Sequence, residues 1–205
     1  MKKIILASKS IDRSEILKRA KVPFETFITN INEDIYKVKI SDAHNLVKEL
    51  AKAKALLAKK NFLDDTLDAI IIAADTVVVL DGEIIGKAKN EEEAFNILKK
   101  LNGRTHELIT GIAITETNNP KIIDDTVTTN VQFINLFDEE LKLYIKNGEW
   151  KGRAGAYSIK DKASLFTKKI NGSASNVIGL PMNKLFEILR KEFSFNLFQL
   201  EDSEF

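Results

Sequence analysis

Ala69-Ile70-Ile71-Ile72-Ala73-Ala74-Asp75-Thr76-Val77-Val78-Val79-Leu80 is apolar at every position but two. A β-branched run of this kind reads as a strand buried on both faces, the signature of an α/β sheet. Asp75 is the anomaly, because a carboxylate in such surroundings is costly unless it is paired, hydrogen-bonded or bound to a cation. Two readings are open. Either a strand ends at Ala74 and Asp75 sits in an ordinary turn, or Asp75 stands at the carboxyl end of a buried strand, where open α/β sheets place their ligands.

Upstream of this run, residues 42–61 form the clearest helix. Asp42 is placed to cap it, and Leu46, Val47, Leu50 and Leu57 make one apolar stripe. At about 100° per residue Lys54 falls inside that stripe, whereas Lys48, Lys52 and Lys59 point elsewhere. Ile4 to Ala7 reads as a first buried strand, followed by a polar turn over residues 8–13 and a helix over 14–20. Strand, serine-containing turn and helix in succession suit an anion, which helix N-terminal amides receive. A second strand is expected over 22–29, then an acidic loop around Glu33 and Asp34.

Downstream, Asp81-Gly82 signals a hairpin leading to Glu83–Ile85 and a Gly86-Lys87 corner. A helix over 91–101 carries Ala94, Ile97, Leu98 and Leu101 inward. Strands follow at about 107–115 and 121–136, separated by the turn Asn118-Asn119-Pro120, and the second alternates at Val127, Thr129, Val131 and Phe133. A capped helix spans 138–147 and ends near Gly148. A glycine-rich loop over 152–157 and a mixed segment to Gly172 come next, and Pro181 opens a last helix running to about Phe193. Glu201 to Glu204 reads as a frayed acidic tail.

Composition narrows the chemistry. The 205 residues suit one α/β domain or two closely joined lobes, and the formal net charge of +1 offers no global field for DNA or a membrane. Attraction to phosphate must therefore come from a few placed Lys and Arg side chains. The absence of cysteine excludes disulfides, thiolate-zinc sites and a cysteine nucleophile, and two histidines leave little for a histidine-rich metal site. A metal would be held by carboxylate oxygens, which favours Mg²⁺ or Mn²⁺. No stretch approaches the roughly 20 apolar residues of a membrane span, so the expected location is the cytoplasm.

Several polar residues carry two readings. Lys54 either snorkels out of its stripe or holds an ammonium inward to meet phosphate, and Lys87 beyond the hairpin shares the ambiguity. Ser8, Ser10 and Arg13 either cap a helix and lie solvated or form a phosphate cradle of hydroxyls, amides and one guanidinium. Glu33 is ordinary loop solvation unless a second carboxylate stands nearby to make a metal site. His106 at a strand entrance is read as structural.

Taken together, these segments resemble the Maf family, also called septum formation protein Maf. The resemblance begins at Leu6-Ala7-Ser8-Lys9-Ser10-Ile11-Asp12-Arg13, similar to the family's LAS-x-SP-x-R opening. It continues through Ala74-Asp75-Thr76-Val77-Val78, Gly86-Lys87, Leu101-Asn102-Gly103-Arg104-Thr105-His106-Glu107 and Thr110-Gly111. Gly155-Ala156-Tyr157-Ser158-Ile159 and Ser175-Asn176-Val177-Ile178-Gly179-Leu180-Pro181 complete it, in family order over nearly the whole chain.

The resemblance implies an α/β fold related to the inosine triphosphate pyrophosphatases, a mixed sheet with flanking helices in two lobes around a central cleft, spanning 1–205 as a single domain, often a homodimer. It implies hydrolysis of a nucleoside triphosphate to the monophosphate and pyrophosphate in nucleotide-pool sanitation, with Mg²⁺ or Mn²⁺. Asp75 is then general base, metal ligand, or both, with Glu33 as partner carboxylate, while Ser8, Ser10, Arg13, Lys54 and Lys87 hold the triphosphate. Base choice is expected at Asp12, Thr76 and Lys160. Pyrimidine-preferring members resemble LAS-x-SPRR, DT and YxIQ, and those acting on 7-methyl-GTP carry Trp, Gln and Glu at the corresponding places. Thr76 agrees with the pyrimidine type, Asp12 and Lys160 with neither, and Ile11 replaces the usual Pro.

Other classes are a cell-division regulator acting through nucleotide-dependent protein binding and a nucleotide-binding module that has lost catalysis. A dedicated DNA binder would show a basic stripe, which the near-neutral charge opposes. The retained Asp75, Glu33, Lys54 and Lys87 oppose loss of catalysis.

Overall fold

The computed structural model describes residues 2–62 and 67–200; the acidic tail expected at Glu201–Glu204 lies outside them. The elements are β1 (Lys3–Leu6), α1 (Ile11–Arg19), β2 (Glu25–Thr26), α2 (Glu33–Lys39), α3 (Ala43–Asn61), β3 (Ala69–Leu80), β4 (Glu83–Ile85), α4 (Glu91–Leu101), β5 (Thr105–Glu116), β6 (Asn119–Phe133), α5 (Asp138–Lys146), β7 (Thr167–Asn171), α6 (Ala174–Ile178) and α7 (Met182–Glu192), with two short 3₁₀ turns. Strand order is β2-β1-β3-β5-β6-β7, and β4 pairs with β3. β1 runs parallel to β2 and β3, while β4 and β7 are antiparallel to β3 and β6, so the sheet is mixed. The expected α/β class with flanking helices is what the chain adopts.

The described residues fall into two compact units, one drawn from Met1–Asp75, Thr110–Val127 and Gly179–Phe205, the other from Thr76–Ile109 and Thr128–Ile178. In the first, strand periodicity sorts the side chains onto two faces. Ile4, Leu6, Ile70, Ile72, Ala74, Ile112 and Ile114 pack with Leu17 of α1 and Leu185, Ile188 and Leu189 of α7. Ile5, Ala7, Ala69, Ile71, Ala73 and Ala113 pack with Ala51, Ala55 and Ala58 of α3. Successive side chains of a strand alternate in direction, so Asp75 shares the α3 face with Ala69, Ile71 and Ala73.

Alanines in α3 let it lie close to the sheet. Gly111 of β5 takes this furthest, since a Cβ there would stand 2.3 Å from the Val47 carbonyl oxygen. Leu57, expected in the apolar stripe, is instead 37% exposed, and Ala51, Ala55 and Ala58 make the contact. In the second unit Val78, Leu80 and Ile85 pack with Ala94, Leu98 and Leu101 of α4, with Leu141, Tyr144 and Ile145 of α5, and with Val131, Phe133 and Phe166.

Several boundaries differ from the sequence reading. The first helix starts at Ile11 rather than Ser14, because Ser10 is its N-cap and accepts from the Arg13 amide. The strand expected over 22–29 reduces to Glu25–Thr26. The acidic loop is the first turn of α2, capped by Asn32, where Glu33 and Asp34 face the positive end of the helix. The turn expected at 118–120 falls on Thr117-Asn118. β3 runs through Asp75 to Leu80, so Asp75 is neither in a turn nor at a strand end. It lies between the stretch paired with β1, which ends at Ile72, and the stretch paired with β4, which starts at Val78. No helix among the described residues is long and apolar enough to cross a membrane.

Candidate active site

Lys54 and Asp75 meet on the α3 face. The Lys54 ammonium donates to Asp75 Oδ1 at 2.6 Å and lies 2.8 Å from Glu33 Oε1. The Lys54 side chain is 9% exposed and that of Asp75 12%, whereas Glu33 keeps 31%. The snorkelling reading of Lys54 is thereby overturned, because its charge is turned inward onto two carboxylates. The α3 helix delivers the stem among Leu50, Ala51, Ala55 and Ala58. The first turn of α2 supplies Glu33, whose other carboxylate oxygen stands 3.9 Å from Lys37 Nζ.

Arg13 belongs to the same group. Its guanidinium lies below its usual pKa because burial disfavours the charge, while the carboxylates of Asp75, Glu33 and Asp12 pull the other way. An arginine so placed stays protonated. Three bonds orient it: the backbone amide donates to Ser10 Oγ, the Nη1 group to Ser8 Oγ at 3.1 Å, and Nε to the Gly179 carbonyl at 2.7 Å. Ser8 is buried and also accepts from the Ser10 amide. Ser8 and Ser10 thus support Arg13 and the start of α1. Gly179, missed in the sequence reading as a partner, has a φ of 111°, a value L residues rarely adopt. It lies within the Ser175–Pro181 motif, but a backbone carbonyl leaves no residue-type signal.

Asp12, in the first turn of α1, lies within electrostatic reach of the Arg13 guanidinium. The structure therefore brings together Ser8, Ser10, Asp12, Arg13, Glu33, Lys54 and Asp75 within the first unit. Thr76, Lys87 and Lys160 belong to the second. There Lys87 is exposed and forms an isolated antiparallel bridge with Ala154 of the glycine-rich loop. The Lys160 amide donates to Ser158 Oγ at 3.4 Å. His106 is 1% exposed, bonds the Tyr157 hydroxyl through Nε2 at 2.8 Å and stacks edge-on with Phe133 and Tyr157. Burial lowers its pKa to about 4, which keeps it neutral and matches a structural residue.

Among the described residues no group of three or more His, Cys, Asp or Glu side chains is placed to hold a metal ion. Glu33 and Asp75 nevertheless offer hard carboxylate oxygens converging on one ammonium. This donor set suits Mg²⁺ or Mn²⁺, ions commonly held by one or two carboxylates, with water and substrate phosphate completing the shell.

A family model described as Maf-like protein matches residues 3–192. A dTTP/UTP pyrophosphatase of Alkaliphilus oremlandii is 45% identical over 197 residues, covering 96% of this chain and 100% of that protein. One from Caldanaerobacter subterraneus subsp. tengcongensis is 44% identical, covering 93% and 89%. One from Ruminiclostridium cellulolyticum is 41% identical, covering 93% and 96%.

Proposed function

This chain belongs to the Maf family, and we propose that it is a nucleoside triphosphate pyrophosphatase acting on dTTP and UTP. The observation that carries the reading is the Glu33–Lys54–Asp75 group, with Lys54 and Asp75 buried and the Arg13 guanidinium within electrostatic reach of both carboxylates. Relatives over nearly the full length carry the name dTTP/UTP pyrophosphatase, which supports the substrate class. No observation favours the division-regulator reading.

In the reaction a water oxygen attacks the α-phosphorus, the bond from that phosphorus to the α–β bridging oxygen breaks, and pyrophosphate departs with the bond electrons. The water loses a proton as it attacks, and we assign Asp75 to take it. Lys54 and Arg13 counter the charge that builds on the phosphate oxygens. Ser8 and the Gly179 carbonyl orient Arg13, so the guanidinium meets the phosphates at little entropic cost. Glu33 and Asp75 would hold a Mg²⁺ or Mn²⁺, which when bound neutralises phosphate charge and lowers the pKa of a coordinated water.

Base choice is assigned to Thr76 and Lys160 of the second unit, as the family resemblance implies. Thr76 matches the pyrimidine type, and a lysine at 160 in place of glutamine alters the donor set offered to a base edge. The chain is further proposed to act in the cytoplasm and as a pair of copies, as the family resemblance implies. Pyrophosphate release across a panel of standard, methylated and modified triphosphates, with Mg²⁺ or Mn²⁺, tests the reading. Turnover led by dTTP and UTP is expected. Absence of turnover on every triphosphate would overturn it.

A further inference from the structure

Glu33 and Asp75 already share a cation. Lys54 Nζ lies 2.6 Å from one carboxylate and 2.8 Å from the other, both within ion-pair contact. With Arg13 within electrostatic reach, the two carboxylates already face two positive charges before any metal arrives, and Asp12 at the Arg13 side leaves the wider group with one net negative charge. At the rim Lys37 Nζ lies 3.9 Å from Glu33 Oε2 and 3.1 Å from Asp34 Oδ1, so its charge is already paired. A bare divalent cation entering this group meets an ammonium at contact distance, and in a partly desolvated setting that repulsion is weakly screened. Its stem leaves α3 among buried Leu50, Ala51, Ala55 and Ala58, so that apolar side offers the ammonium no alternative partner to the carboxylates.

A triphosphate changes the balance. It brings its own negative charge and offers oxygens that accept from an ammonium, so Lys54 gains a new partner as it leaves the carboxylates. Resting on the pyrophosphatase reading, we infer that Lys54 closes the Glu33–Asp75 pair to free divalent cation. The ion is then admitted together with the triphosphate that draws the ammonium away. Lys54 thus acts twice, as an internal stand-in for the metal in the free protein and as a phosphate contact in the loaded one. The arrangement makes metal and nucleotide binding mutually supportive, since each removes an unfavourable contact of the other.

The test is Mn²⁺ binding to the nucleotide-free protein, followed by loss of the free-ion electron paramagnetic resonance signal. Lys54→Met keeps the apolar stem and removes the charge; Lys54→Gln serves if the methionine variant does not fold. Binding at least about tenfold tighter than wild type is expected in the neutral variant, with Lys54→Arg remaining as weak as wild type. Adding Asp75→Asn to Lys54→Met should abolish the gain. A folded neutral variant that binds Mn²⁺ no tighter than wild type overturns the inference. So does an arginine variant that gains as much as the neutral one. Turnover is measured separately on wild type: the expected Mn²⁺ pattern with no hydrolysis of any triphosphate would refute the pyrophosphatase reading and leave the competition between ammonium and metal standing.

Discussion

The Nε–H of Arg13 donates to the carbonyl of Gly179 at 2.7 Å, tying the first turn of α1 to the residue two positions before the Pro181 N-cap of α7. Leu180, next in the chain, is fully buried and anchors the peptide that carries this carbonyl. A guanidinium orients to phosphate as a planar fork, and a fixed Nε bond sets the plane of that fork.

Gly179→Ala should therefore raise KM for the triphosphate by about tenfold, the scale of one lost charge-assisted hydrogen bond. The same change made in an Arg13→Lys background should add little, because lysine has no Nε–H to lose. A double-mutant cycle on KM measures this coupling. Full additivity of the two effects would mean that Gly179 acts on stability alone.

Gly111→Ala should destabilise the first unit without touching the carboxylates. A methyl 2.3 Å from the Val47 carbonyl forces α3 away from β5. Overpacking of this kind costs about 1–3 kcal/mol, and Tm should fall by about 2–12 °C in a chain of this size. Thermal unfolding followed by circular dichroism checks it; an unchanged Tm would refute the close approach.

His106 should make stability acid-sensitive. Its pKa of about 4 in the folded state lies below the ordinary 6.5, so the unfolded chain binds the proton more tightly. Stability from this group is complete above the unfolded value and is lost as pH falls through the window from 6.5 to about 4. At pH 5 the loss amounts to about 2 kcal/mol relative to pH 7. Urea unfolding at both pH values measures it, and His106→Gln should flatten the difference. An equal pH dependence in the two proteins would contradict the assignment.

Glu33 and Asp75 should separate in stability measurements. Asp75 is buried against a strand face, and removing its charge leaves a buried ammonium with one partner, costing about 3 kcal/mol. Glu33 is a third exposed, and water replaces much of what Glu33→Gln removes. Urea midpoints should fall clearly for Asp75→Asn and slightly for Glu33→Gln.

Much of the first unit could be read from periodicity. The helix ending at Asn61, with Lys54 inside its apolar stripe, declared itself because nineteen residues give several turns of pattern. The partner of Lys54 was also within reach, since Asp75 has the strand parity of Ala73 and so the α3 face. Leu57 misled because small residues, not large ones, make the contact where a helix lies close to a sheet. The α2 helix has no buried residue and therefore no apolar stripe; only the Asn32 cap and the Glu33–Asp34 first turn announced it. β2 pairs through two residues, too few for alternation to register. The extension of β3 beyond Asp75 was obscured by reading a polar residue as an ending, when an ammonium from α3 was available to pair it.

Pyrophosphate release by wild type and Asp75→Asn, at saturating dTTP and Mg²⁺, tests the central claim most directly. The account predicts turnover in wild type and a fall in kcat of about 100-fold or more in the variant, with far-ultraviolet circular dichroism showing both proteins folded. A folded Asp75→Asn variant that releases pyrophosphate as fast as wild type would contradict it.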